Sequence, residues 1–106
     1  MSDSEPPYKV VLVFNLKPGA ADEELRRSAQ PDSFPSRLAA QPGFVSLELV
    51  RVAADRTLSI QSWRSEADWW NALQVVKGQD ASAAGENILV SRDFFGGPVV
   101  AQRSAP

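Results

Sequence analysis

Between Tyr8 and Lys17 the chain reads Tyr-Lys-Val-Val-Leu-Val-Phe-Asn-Leu-Lys and then breaks at Pro18-Gly19. Alternate residues of a strand point to opposite faces. Here Tyr8, Val10, Leu12, Phe14 and Leu16 fall on one face, and Val11 and Val13 on the other, so both are apolar in the middle. A strand of that kind is buried from two sides. The chain has 106 residues, enough for one small domain, so it has helices to spare for only one face of a sheet. The uncovered face then needs a second chain, and the expectation is a homodimer.

The rest of the chain is built around that strand. Ala20 to Gln30 has strong helix formers with Asp22, Glu23 and Glu24 in its first turn, where the helix dipole favours acids. Pro31 interrupts it, and Ser33-Phe34-Pro35 opens a second helical piece with Leu38 on its buried side, ending at Gln41-Pro42-Gly43. Phe44 to Val52 reads as a strand whose alternation slips at Val50 and Val52, the mark of a bulge. A short connection at Ala53-Ala54-Asp55-Arg56 turns it into Thr57 to Trp63, an antiparallel hairpin. Ser65 with Asp68 three residues on caps a helix over 66–77, closed by Gly78, with Trp69, Leu73 and Val76 in one apolar stripe. Gln79 to Glu86 is small and polar, a loop or lid, and Asn87 to Phe95 is a last strand ending at Gly96-Gly97-Pro98. The order β-α-β-β-α-β is that of a ferredoxin-like α+β domain with an antiparallel sheet. It occupies residues 8–98, with 1–7 and 99–106 as tails.

The inventory of reactive side chains narrows the chemistry. There is no Cys and no His, which excludes disulfides, thiolate nucleophiles, Ser-His-Asp arrangements and ordinary zinc or haem ligation. No metal site is expected. The net charge of -2 gives no electrostatic reason to expect nucleic acid or an anionic membrane surface. The longest clean apolar run, Val10 to Phe14, is far short of the ~20 residues that cross a bilayer. The N-terminus lacks a basic and then apolar leader, so the expected location is the cytoplasm.

Three segments carry a resemblance. Val13-Phe14-Asn15-Leu16-Lys17-Pro18-Gly19, Pro42-Gly43-Phe44-Val45-Ser46-Leu47-Glu48-Leu49 and Trp63-Arg64-Ser65-Glu66-Ala67 resemble the antibiotic biosynthesis monooxygenase-like family over residues 8–97. The resemblance implies a dimeric α+β barrel, made when two ferredoxin-like sheets pack together. It also implies a cofactor-independent monooxygenase acting on an aromatic, polyketide-like small molecule in a pocket between sheet and helices. Of the quinone-forming branch's four pocket positions, the Trp ending the third strand is Trp63, the Asn four residues earlier is Ser59, the Tyr six residues later is Trp69, and the Arg after the second helix has no match. The haem-degrading branch relies on an axial His, and here the corresponding stretch is Ser82-Ala83-Ala84. No cofactor is therefore expected.

Within the chain, Ser59, Gln61 and Trp63 share one face of the third strand. Two polar groups on a core face cost about 1–3 kcal/mol each unless paired or wetted, so that face suits a ligand cavity with Trp63 as a wall and Trp69 or Trp70 opposite. Trp63 and Trp69 are equally at home as core aromatics. Arg92, on the face of Val90 and Phe94, is placed to polarise a substrate carbonyl, or else to pair with an acid such as Asp93. Asn15 is a donor to a ligand or a turn residue, and Glu48 a buried base or a solvated acid. The expected catalytic set is Trp63, Ser59 and Arg92, with Gln61, Trp69 and Asn15 binding the ligand. The alternative is a dimeric small-molecule-binding or assembly domain of the same fold without chemistry; an isomerase or cyclase on the same pocket reads identically in sequence.

Overall fold

The structure, a computed structural model, describes residues 6–78 and 87–106. Its elements run β1 (Tyr8–Leu16), α1 (Ala21–Ser28), α2 (Phe34–Ala39), β2 (Phe44–Ala53), β3 (Arg56–Trp63), α3 (Glu66–Gly78) and β4 (Leu89–Pro98). The four strands form one antiparallel sheet in the order β2-β3-β1-β4. The expected ferredoxin-like order is present, with the first crossover split into α1 and α2 by Pro31. Ser33 caps α2, its hydroxyl accepting the Ser36 N–H at 3.3 Å. Among the described residues no helix is long and apolar enough to cross a membrane.

The helices pack on the face of β1 that carries Tyr8, Val10, Leu12, Phe14 and Leu16. The main core joins Tyr8, Val10 and Leu12 to Leu38 of α2, Trp63 of β3 and Trp69, Ala72 and Val76 of α3. Burial and the nearby Glu66 charge push the Tyr8 hydroxyl's pKa above its ordinary value of 10.0. On the exposed side of α1, Glu23 accepts from Arg26 and Arg27, and these hydrogen bonds hold its carboxyl down to about 2.

The other face carries two adjacent apolar rows across the strands. Val50 of β2 faces Leu58 of β3, which faces Val13 of β1; Ile60 of β3 faces Val11 of β1, which faces Phe95 of β4. Val50 is 37% and Phe95 60% exposed, and polar rows at Lys9–Ser62 and Asn15–Arg56 flank the patch.

Both ends of β4 differ from the sequence expectation, while the ends of β1, β2 and β3 move by one residue at most. Asn87 has φ 73°, a left-handed turn conformation that Asn tolerates, so β4 starts at Leu89 rather than at Asn87. β4 also continues through Gly96-Gly97-Pro98, with Gly97 opposite Lys9 and Pro98 opposite Tyr8; β4 is an edge strand, where Pro is accommodated. The slips in β2 lie at Val45 and Val52, while Val50 keeps its register with Leu58. The expected loop or lid over Gln79 to Glu86 lies outside the described residues.

The Pro-Gly-Phe and Trp-Arg-Ser segments meet in one corner. The Gly43 carbonyl accepts the Arg64 N–H at 2.8 Å, and the Phe44 ring stands edge-on to Trp63 with centroids 5.4 Å apart. Ser65 Oγ accepts the Asp68 N–H at 3.2 Å, which starts α3. Gly43 has φ 85°, and a Cβ there would overlap the Asp68 side chain. Gly19 has φ 77° with open space around it. Gly19→Ala is therefore expected to lose only the backbone preference, about 1 kcal/mol, and Gly43→Ala about 2–3 kcal/mol or more, because Asp68 must also move. Urea unfolding of the two variants checks this; equal losses would show that Asp68 does not close on Gly43.

Candidate functional site

The inner face of β3 presents Thr57, Ser59, Gln61 and Trp63 to the helices, and all four are buried. Their polar atoms pair in sequence. Trp63 Nε1 donates to Gln61 Oε1 at 3.0 Å, and Gln61 Nε2 donates to Ser59 Oγ at 3.1 Å. An indole N–H can only donate, so it fixes which end of the Gln61 amide carries the oxygen. Farther along, Thr57 Oγ1 donates to Glu24 Oε1 and Ser28 Oγ donates to Glu24 Oε2, both at 2.9 Å. Glu24 and Ser28 come from α1, whose sheet-facing stripe is Ala21, Glu24 and Ser28 rather than large apolar residues. Small and polar side chains on that stripe leave space under the helix.

That space is a cavity of about 380 Å³ between the sheet and the helices. Ser59, Gln61, Glu24 and Ser28 line its polar side; Leu12, Phe14, Phe34, Leu38, Leu73 and Leu89 are among its apolar walls. Trp69 and Phe94 stack nearly parallel, 16° between planes and 5.8 Å between centroids, and Trp70 lies beside Phe94 at 5.9 Å. Exposed Trp70, Lys77 and Arg92 mark the mouth. Lys77 and Arg92 make no salt bridge among the described residues. Trp69 is 1% exposed, and its Nε1 has no hydrogen-bond partner among the described residues. A buried donor left unpaired costs about 1–3 kcal/mol, a cost that a ligand oxygen would remove.

The structure brings Ser59, Gln61, Trp69 and Arg92 to this cavity. Arg92 reaches it because it stands opposite Phe14 and shares the inner face of β4 with Phe94; beyond it Val90 is an extra residue, since Asn15 faces Ser91 and Leu16 faces Leu89, and this bulge brings Leu89 to the same face. Trp63 stands one layer behind, fully buried between Phe44 and Trp69, and meets the cavity indirectly, through its hydrogen bond to Gln61 and its packing on Trp69. Asn15 is on the outer face of β1, donating to Ser91 Oγ at 3.1 Å and accepting from Arg56 Nε at 2.9 Å. Glu48 is exposed on the outer face opposite Ile60. Trp70 is 41% exposed, its Nε1 donating to Glu66 Oε2 at 3.0 Å. Glu24 was not singled out from sequence, since an acid in the first turn of a helix is ordinary. The signal was its spacing from Ala21 and Ser28 on the stripe that has to face the sheet.

Solved structures match this architecture. A Bacillus cereus protein named as an antibiotic biosynthesis monooxygenase superposes with a TM-score of 0.68 at 16% identity, over 95% of this chain and 98% of that one. SnoaB, a cofactor-independent oxygenase from Streptomyces nogalater, gives 0.65 at 18% identity over 95% of this chain and 98% of that one. The chain has the antibiotic biosynthesis monooxygenase-like fold. A MhuD variant with two manganese protoporphyrin IX molecules bound per active site also has it, with a TM-score of 0.74 at 17% identity over 94% of this chain and 100% of that one. No family model and no curated protein matches the sequence. A porphyrin does not fit the donors present here, because the chain has no His or Cys and the described cavity lining contains no Met or Tyr to hold its metal.

If Gln61 is the residue that makes this polar face tolerable, removing it strands two partners. Gln61→Leu is expected to cost about 1–3 kcal/mol more than Ser59→Ala, because it leaves the Trp63 N–H buried without an acceptor. Chemical denaturation of the two variants measures the difference; equal costs would contradict the role given to Gln61.

Proposed function

We propose that the cavity binds a planar aromatic small molecule, and that the protein is a cofactor-independent monooxygenase of the antibiotic biosynthesis monooxygenase-like family. The observation that carries this reading is the combination of stacked Trp69 and Phe94 with an unpaired Trp69 N–H in a cavity floored by Ser59 and Gln61. Flat aromatic walls match a flat ligand, and fixed N–H donors match its carbonyl or enolate oxygen.

In this mechanism the substrate supplies the reducing electrons as an enolate or phenolate, and molecular oxygen is the oxidant. The protein holds the substrate in place and stabilises its developing negative charge. Gln61 Nε2 has a second hydrogen beyond the one given to Ser59, and Arg92 brings a guanidinium to the mouth. Trp63 acts through Gln61, holding the amide in the orientation that presents its N–H groups. Asn15, being on the far face, has no part in this site.

Anthrone is the simplest probe. The protein is expected to accelerate its oxygen consumption, and Arg92→Ala to lower kcat/KM by about a hundredfold. Quenching of tryptophan fluorescence by anthraquinone with no oxygen uptake across a panel of anthrones would instead favour the binding-domain reading.

We also propose that a second copy covers the apolar rows around Val11 and Val13, giving a homodimer. Light scattering at micromolar concentration is expected to return twice the 11.5 kDa chain mass, and Val13→Asp to return the single mass. A monomeric unmodified protein would contradict this.

A further inference from the structure

Glu24 is 4% exposed, yet it lines the cavity. Its two oxygens accept one hydroxyl each, from Thr57 and Ser28, and it forms no salt bridge among the described residues. Ser28 is itself tied into the turn after α1, its carbonyl accepting the Ser33 hydroxyl at 2.8 Å. Thr57 is fully buried. The carboxylate is thus held from two elements in one place. Each oxygen retains acceptor capacity beyond the single hydroxyl that it already accepts. Burying a carboxylate without a cation is costly, and a structural core would place an apolar residue there at lower cost. The remaining cavity-lining charges, Lys77 and Arg92, are exposed at the mouth.

We propose that Glu24 is the general base of the site, removing a proton from an acidic C–H or O–H of the bound aromatic. This rests on the oxygenase reading and supplies its missing first step. For an anthrone, the Glu24 carboxylate takes one proton from the methylene carbon, and the C–H electron pair becomes the enolate. The enolate carbon bonds to dioxygen, giving a peroxide anion, which takes the proton back from Glu24. The hydroperoxide then loses its second C–H proton and breaks its O–O bond, leaving a carbonyl and releasing one water. One dioxygen is consumed, one oxygen atom stays on carbon and the other leaves as water, so no external reductant is needed. Thr57 and Ser28 are positioning residues for the carboxylate.

The first step has a readout that does not involve oxygen. Under anaerobic conditions in deuterated buffer, the protein is expected to accelerate hydrogen exchange at the anthrone methylene, followed by mass spectrometry. Glu24→Gln is expected to lower the exchange rate by about a hundredfold or more, with anthraquinone quenching of tryptophan fluorescence retained within threefold. Glu24→Asp, which keeps a carboxylate, is expected to exchange faster than Glu24→Gln. The proposal is overturned if the unmodified protein gives no exchange above buffer, or if Glu24→Gln exchanges within threefold of it. It is also overturned if the Asp and Gln variants, both shown folded by circular dichroism, exchange equally. Oxygen uptake that survives Glu24→Gln removes the base while leaving the oxygenase reading intact. Absence of both anthraquinone binding and uptake in the unmodified protein removes that reading, and the base with it.

Discussion

β1 is apolar on both faces, and most of the molecule follows from that. Its inner residues, Tyr8, Val10 and Leu12, anchor the core formed with Leu38, Trp63, Trp69 and Val76. Its outer residues, Val11 and Val13, continue apolar rows through Leu58, Ile60 and Phe95 that the described helices do not cover. Had the outer set been polar, nothing on that face would call for cover. As it stands, the sheet is a shared wall, with a cavity and helices on one side and an unpartnered apolar surface on the other.

The inner side is not a uniformly apolar core, and the reason lies in β3. Thr57, Ser59 and Gln61 put polar atoms where a packed core would place methyl groups. Trp63, Gln61 and Ser59 satisfy one another in a chain, and Thr57 is satisfied by Glu24. With these atoms paired, α1 can face the sheet with Ala21, Glu24 and Ser28, and a cavity persists beneath it. Stability and site therefore share the same residues. The aromatic residues of α3 and β4 then supply the walls, and Arg92, opposite Phe14 on the inner face of β4, lines the opening.

Much of this was legible in the residues. The two-faced alternation of β1, the Ser65–Asp68 cap and the Ser33-Phe34-Pro35 start gave the element order, because each is a local signal with one structural outcome. The face shared by Ser59 and Gln61 pointed to a cavity, because period-two geometry fixes which side chains share a face. What was not legible depended on contacts between distant segments. Trp63 and Gln61 share a face, but only the structure shows that Gln61 stands between Trp63 and the cavity. Asn15 has the chemistry of a ligand donor, but its parity with Val11 and Val13 puts it on the outer face. Glu24 was hidden by the ordinary role of acids in a first helical turn, although its spacing from Ala21 and Ser28 marked it as facing the sheet. The ends of β4 shifted because a left-handed Asn87 and an edge-strand Pro98 answer to pairing with β1, not to local pattern.

Two proposals meet at the sheet: the inner cavity as a site for a flat aromatic molecule, and the outer face closed by a second copy. A crystal structure of the protein grown with anthraquinone tests both at once. The ligand is expected between the Trp69–Phe94 pair and the Ser59–Gln61 floor, with an oxygen within hydrogen-bond distance of Trp69 Nε1 and two chains packed through Val11, Val13, Leu58 and Ile60. A cavity filled by its own side chains, with the ligand elsewhere and the outer face in solvent, would contradict them.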